Sequence, residues 1–94
     1  MNRNEIIDFL KKNKSFLQER FDVSRIGLFG SYATGTNTID SDIDIIVSMP
    51  SDFDKFYDLK DFLETNLNHE VDLGLEKNMR VLIREQLKKE VIYV

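Results

Sequence analysis

The chain reads Asp-Ile-Asp-Ile-Ile-Val from position 42 to position 47, and this alternation constrains its fold more than any other feature. Successive side chains of a β-strand point to opposite faces, so the pattern predicts a strand whose apolar face carries Ile43, Ile45 and Val47. Asp42 and Asp44 then share the other face, with their Cα atoms about 6.5 Å apart at a rise of ~3.3 Å per residue. The chain is therefore expected to build a sheet with one face in a core and carboxylates on the other.

The rest of the chain predicts a small α/β (α+β) domain in which helices pack against a mixed β-sheet. Amphipathic segments at helical spacing alternate with short apolar strands. The expected elements are a helix over 5–20 capped by Asn4, a strand over 24–30, a short helical turn over 31–36, the strand over 42–47, a helix from a Ser51 capping box to 66, a strand over 70–75, a helix over 79–89 capped by Asn78, and a strand or apolar tail over 91–94. All 94 residues are expected to form one domain.

The composition indicates which kinds of partner the chain can bind and in which cellular compartment it is expected. The formal net charge is -4 and the pI is about 4.9, which argues against an extended nucleic-acid-binding surface, because neutralising phosphates needs clustered Lys and Arg. The chain has no cysteine, which fits a reducing compartment. Nowhere do the ~18 consecutive apolar residues of a membrane span occur. We therefore expect a cytoplasmic protein that does not enter a membrane.

A turn of small residues, Gly30-Ser31, ends the first predicted strand and precedes the acidic one. Its backbone N–H groups are suited to phosphates, whereas Asp42 and Asp44 repel each other unless a cation lies between them. Mg²⁺ suits both features, because it prefers carboxylate oxygens together with substrate phosphates. If the next strand lies alongside, Asp72 joins the pair. Three carboxylates around two Mg²⁺ ions ~3.5–4 Å apart support in-line attack of a hydroxyl on a phosphoryl group, with Asp72 accepting the proton.

Each of these signals alone has a plainer interpretation. An isolated Asp-x-Asp on a strand is usually a solvated face, and Gly-Ser is common in turns. The ordered combination of turn, acid pair and later acid favours a metal–nucleotide site. The weaker candidates are His69 as a surface residue, Glu70 as a substitute third carboxylate, Tyr32 as a base-stacking or turn-filling ring, and Arg80 and Arg84 as a solvated face or a phosphate contact.

Gly30-Ser31, followed after ten residues by Asp42-Ile43-Asp44, resembles the signature of the DNA polymerase beta-like nucleotidyltransferase superfamily, and the length resembles its minimal nucleotidyltransferase branch. The resemblance implies that superfamily's fold, with the Gly-Ser turn holding the phosphates of ATP. It also implies that Asp42, Asp44 and Asp72 are the catalytic ligands of two Mg²⁺ ions. The implied reaction is transfer of AMP from ATP to a hydroxyl, expected to be a tyrosine, of a HEPN-type toxin. The chain would then act as the antitoxin in a hetero-oligomer with that toxin.

One residue departs from the pattern of this branch, in which an arginine often follows the alanine of the turn. Thr34 stands at that position. The positive charge for the triphosphate would then come from Arg80, Arg84 or a partner chain. Alternatively, the chain is a non-catalytic antitoxin that neutralises its partner by forming a complex. Transfer to a small molecule or an RNA end is a third interpretation, which the acidic composition and the missing acceptor domain disfavour. The sequence leaves open the preferred NTP, the accepting residue, the number of copies and activity without the partner.

Overall fold

A four-stranded mixed sheet forms the centre of the computed structural model, which describes residues 1–78 and 91–94. The elements in chain order are α1 (Arg3–Lys12), α2 (Lys14–Phe21), β1 (Arg25–Phe29), α3 (Gly30–Thr34), β2 (Ile43–Ser48), α4 (Phe53–Leu67), β3 (Val71–Leu75), a 3-10 turn (Glu76–Asn78) and β4 (Ile92–Tyr93). The strand order is β3-β2-β1-β4. Strand β1 runs antiparallel to both β2 and β4, while β2 and β3 are parallel. The predicted fold class, helices against a small mixed sheet, is confirmed.

The first predicted helix is wrong in its extent, because the structure has two helices that meet at Asn13. The Asn13 side-chain amide donates to the Phe9 carbonyl at 2.9 Å, and Asn13 has non-helical dihedral angles of φ -101° and ψ 6°. An amide side chain that competes for backbone carbonyls in this way interrupts a helix. The N-cap is also Asn2 rather than Asn4, since Asn2 and Glu5 form a reciprocal capping box.

The remaining bounds move by one or two residues. Strand β2 begins at Ile43, so Asp42 lies just before the strand rather than inside it. Strand β3 likewise begins at Val71. The second long helix is capped by Asp52 instead of the predicted Ser51, because the Asp52 carboxylate accepts from the Lys55 backbone N–H at 3.2 Å. The helix predicted over 79–89, with Arg80 and Arg84, lies outside the described residues.

The core lies between one face of the sheet and the helices α1, α2 and α4. The buried side chains that form it come from alternate strand positions and from one stripe of each helix: Ile26, Leu28, Ile43, Ile45, Val47, Val71, Leu73, Ile6, Leu10, Leu17, Leu59 and Leu63. Because this set includes the odd positions of β2, the side chain of Asp44 is left on the opposite face. In the described part of the chain, no helix is long and apolar enough to cross a membrane.

Candidate active site

The sheet register brings two of the three predicted carboxylates together. Asp44 pairs with Asp72 across the parallel strands β2 and β3, and with Phe29 across the antiparallel strands β2 and β1. Paired residues on adjacent strands point to the same face about 4.8 Å apart. Asp44 therefore lies beside Asp72 on the face of the sheet opposite the core.

The electrostatics of Asp44 reflect this crowding. Burial, the charge of Asp72, the charge of Asp42 and a side-chain hydrogen bond with Asp72 together raise the pKa of Asp44 from 3.8 to about 6. Burial is the largest of these causes, and all four act in the same direction. A carboxylate that is half-buried beside two others is costly to ionise, and a cation at this position would remove most of that cost.

Gly30 lies against the same carboxylate. A Cβ atom on Gly30 would fall 3.0 Å from Asp44 Cγ and still nearer to its Oδ2, where no side chain fits. The backbone of Gly30 also has a positive φ of 72°, which L-residues rarely adopt. Both constraints require glycine, and they place the start of α3 in contact with the carboxylate of β2.

The short helix α3 carries the predicted phosphate-binding turn. Ser31 is half-buried in its first turn, where backbone N–H groups have no intrahelical acceptor. The helix ends at Gly35 in the left-handed conformation, with φ 78°. The Thr34 hydroxyl lies within hydrogen-bond distance of the carbonyls of Gly30 and Ser31, at 3.3 Å each, and of the Thr36 hydroxyl at 2.9 Å. The threonine thus stabilises the turn and supplies no charge to it.

Asp42 completes the acidic group from the loop before β2. It is exposed, and its charge acts on Asp44, which places it near the pair. Glu70, the substitute candidate, is exposed and does not contribute to the raised pKa of Asp44. Within residues 1–78 and 91–94, no three acidic, histidine or cysteine side chains converge closely enough to enclose a metal ion by themselves.

Two features near α3 were not foreseen from the sequence. Arg3 donates from its guanidinium to the Ala33 carbonyl at 3.2 Å, which brings a positive charge from the N-terminal helix to the end of α3. His69 is half-buried rather than exposed, and its Nε2 lies 3.3 Å from the Tyr32 hydroxyl, while Tyr32 itself fills the core. Arg3 lies far from the turn in the sequence, and no sequence pattern indicated that it would contact α3. The position of His69 at a helix–strand junction was the one clue to its role.

The sequence of the chain matches a known protein family. The family described as nucleotidyltransferase domain matches residues 10–94 of the chain. The chain belongs to the nucleotidyltransferase family. The protein adenylyltransferase MntA of Thermococcus cleftensis is 41% identical over 93 residues, which cover 96% of this chain and 93% of that protein.

Solved structures agree with this family membership. A structure assigned as a minimal nucleotidyltransferase matches with a TM-score of 0.83 and 28% identity, over 98% of this nucleotidyltransferase and 95% of that chain. A complex of a tri-AMPylated Shewanella oneidensis HEPN toxin with its MNT antitoxin matches with a TM-score of 0.59 and 26% identity, over 98% and 67% of the two chains. The predicted family, fold and class of enzyme are confirmed.

Proposed function

We propose that this nucleotidyltransferase transfers AMP from ATP to a tyrosine hydroxyl of a HEPN-type toxin, and acts as the antitoxin of that toxin in the cytoplasm. The observation that carries the proposal is the register that sets Asp44 beside Asp72 with the Gly30 backbone against the Asp44 carboxylate. The names of the similar proteins, an adenylyltransferase and an antitoxin bound to an AMPylated HEPN toxin, support the donor and the partner.

The donor set fits Mg²⁺. It consists of carboxylate oxygens alone, and the charges of Asp72 and Asp42 act together with burial to raise the pKa of Asp44. Mg²⁺ is commonly held by one or two carboxylates together with substrate phosphates, so an enclosed protein cage is not required. We assign Asp42, Asp44 and Asp72 as the residues that hold two such ions. The chemistry that the ions supply is neutralisation of the triphosphate and a lowered pKa for the attacking hydroxyl.

The side chains and backbone of the site account for the rest of the reaction. The N–H groups at Gly30 and Ser31 hold the phosphates and align the α-phosphorus with the sheet face that carries Asp44 and Asp72. The tyrosine oxygen attacks that phosphorus, the bond between the α-phosphorus and the bridging oxygen breaks, and pyrophosphate leaves. Asp72, which is exposed, accepts the phenolic proton. Catalysis is then mainly positioning and charge neutralisation.

A second candidate function is neutralisation of the partner by complex formation without transfer. Thr34 favours it, because the hydroxyl at this position bonds within the turn and leaves no charge for a triphosphate. Arg3 weighs against it, since its guanidinium already contacts the end of the same helix.

Intact-mass analysis of the partner separates the two functions. The partner is incubated with this protein, Mg²⁺ and each NTP in turn, beside the Asp44→Asn variant. A gain of one or more AMP masses that requires ATP and is lost in the variant supports transfer. An unchanged mass with every NTP, in a complex that still forms on gel filtration and remains inactive as a toxin, would overturn transfer in favour of occlusion.

A further inference from the structure

His69 connects three separate segments of the candidate site. Its Nε2 lies 2.6 Å from the Ser41 carbonyl oxygen and 3.3 Å from the Tyr32 hydroxyl. Ser41 directly precedes Asp42, and Tyr32 directly follows Ser31. The histidine itself lies three residues before Asp72, in the connection from α4 to β3.

The shorter of these two contacts defines the tautomer. A carbonyl oxygen can accept but cannot donate, so the hydrogen of this bond resides on Nε2. The Tyr32 hydroxyl is therefore a second, longer acceptor near the same N–H, and it cannot donate to that nitrogen. The contact with Ser41 is the one that determines the orientation of the ring.

The loop between α3 and β2 has few other attachments. Thr38 and Ser41 bond to each other through their backbone and side chains, which closes a local turn but does not tie that turn to the sheet. Among the described residues, His69 is the one side chain from outside the loop that hydrogen-bonds to residues 37–42. Asp42, one of the site's two exposed carboxylates, lies at the end of this loop, so the direction of its side chain depends on how the loop is held.

We propose that His69 is a positioning residue, whose Nε2–H holds the Ser41 carbonyl so that Asp42 meets Asp44 across the metal site. The inference rests on the proposed function for its catalytic consequence, but the hydrogen bond and its effect on cation affinity are measurable without any transfer. The residue acts through the backbone next to Asp42 and does not touch the nucleotide.

The chain offers matched variants for the test. His69→Leu keeps an apolar volume but removes the donor, whereas His69→Gln can return an amide N–H to the position of Nε2. Tyr32→Phe keeps the ring and removes the longer acceptor. Circular dichroism and urea unfolding identify any variant that fails to fold, and the glutamine variant keeps the test valid if the leucine variant does.

The first readout is the histidine tautomer. The chain has one histidine, so its ¹⁵N ring signals need no assignment. We expect the Nε2–H tautomer, with a hydrogen that exchanges slowly with solvent. The Nδ1–H tautomer would overturn the proposal whatever the enzyme does.

The second readout is the response to Mg²⁺. In the leucine variant we expect the Mg²⁺ concentration for half-maximal thermal stabilisation to rise by about 3- to 10-fold, the range of one lost hydrogen bond. We expect kcat to fall by a similar factor of about 3 to 10, and KM for ATP at saturating Mg²⁺ to change less than about 2-fold. The glutamine and phenylalanine variants should remain within about 2-fold of the wild type.

The other outcomes are also decisive. A leucine variant equal to the wild type in Mg²⁺ response would overturn the proposal, as would a glutamine variant as impaired as the leucine one, since that result indicates packing rather than the donor. If the wild type transfers nothing, the proposed function fails, and the tautomer with the Mg²⁺ titration still decides the role of His69.

Discussion

Replacing Asp44 with asparagine is expected to stabilise the metal-free protein while it abolishes the activity. In the wild type, burial of the Asp44 carboxyl and the charges of Asp72 and Asp42 raise its pKa from 3.8 to about 6. Above pH 6 the wild type must therefore ionise a group whose surroundings disfavour the charge. Asparagine has nearly the same shape and no charge to ionise, so the variant is relieved of this cost.

The magnitude follows from linkage. A rise in the pKa of Asp44 from 3.8 to about 6 corresponds to about 3 kcal/mol at 1.36 kcal/mol per pKa unit. Because the group is partly solvated, screening reduces the expected gain to about 1–2 kcal/mol. The native state binds more protons than the unfolded state between pH 4 and pH 6, so the stability of the wild type falls as the pH rises through this window. The advantage of the variant should be near zero below about pH 4 and constant above about pH 7.

Urea unfolding in EDTA at intervals from pH 4 to pH 8 measures this difference directly. Asp8→Asn, an exposed position on α1, is the matched control for removing one negative charge from the chain. Adding Mg²⁺ should reverse the order, because the wild type gains stability from the ion and Asp44→Asn gains little. A variant that is no more stable than the wild type at pH 8, or a gain that does not change with pH, would refute the reasoning.

Three further predictions follow from the same contacts. Gly30→Ala should lose about 2–3 kcal/mol of unfolding free energy and all transfer, because its Cβ would collide with Asp44 and its φ is positive. The control Gly35→Ala has open space around it and should lose about 1 kcal/mol in urea unfolding, and equal losses in the two variants would contradict the collision. Asp72→Asn should lower the pKa of Asp44 toward its ordinary value, which ¹³C NMR titration of the carboxyl measures, and an unchanged pKa would show that Asp72 does not contribute to the rise. Leu63→Ala, at a fully buried position of α4, should cost about 2–5 kcal/mol in the same urea assay, and a loss below 1 kcal/mol would argue against its place in the core.

Local patterns predicted most of the elements but misplaced some of their ends. The alternation around Asp44 correctly separated the core face of β2 from the acidic face, because side-chain direction in a strand depends on the parity of the position alone. The break at Asn13 was missed, since its apolar neighbours continue the helical spacing on both sides. What ends the first helix there is a side-chain hydrogen bond to Phe9, and spacing carries no information about such a bond.

For the candidate site, too, the sequence determined one part and the tertiary structure another. The sequence by itself determined which groups are available: a glycine-serine turn, two acids two residues apart, and a third acid on a later strand. The tertiary structure alone decided that β3 lies next to β2 in the register that pairs Asp44 with Asp72, that Gly30 touches the Asp44 carboxylate, and that His69 reaches the carbonyl of Ser41. These contacts join segments 14 to 28 residues apart, as with Gly30 and Asp44 or Asp44 and Asp72. Strand order and register depend on how distant segments bury their apolar faces together, which no local pattern specifies.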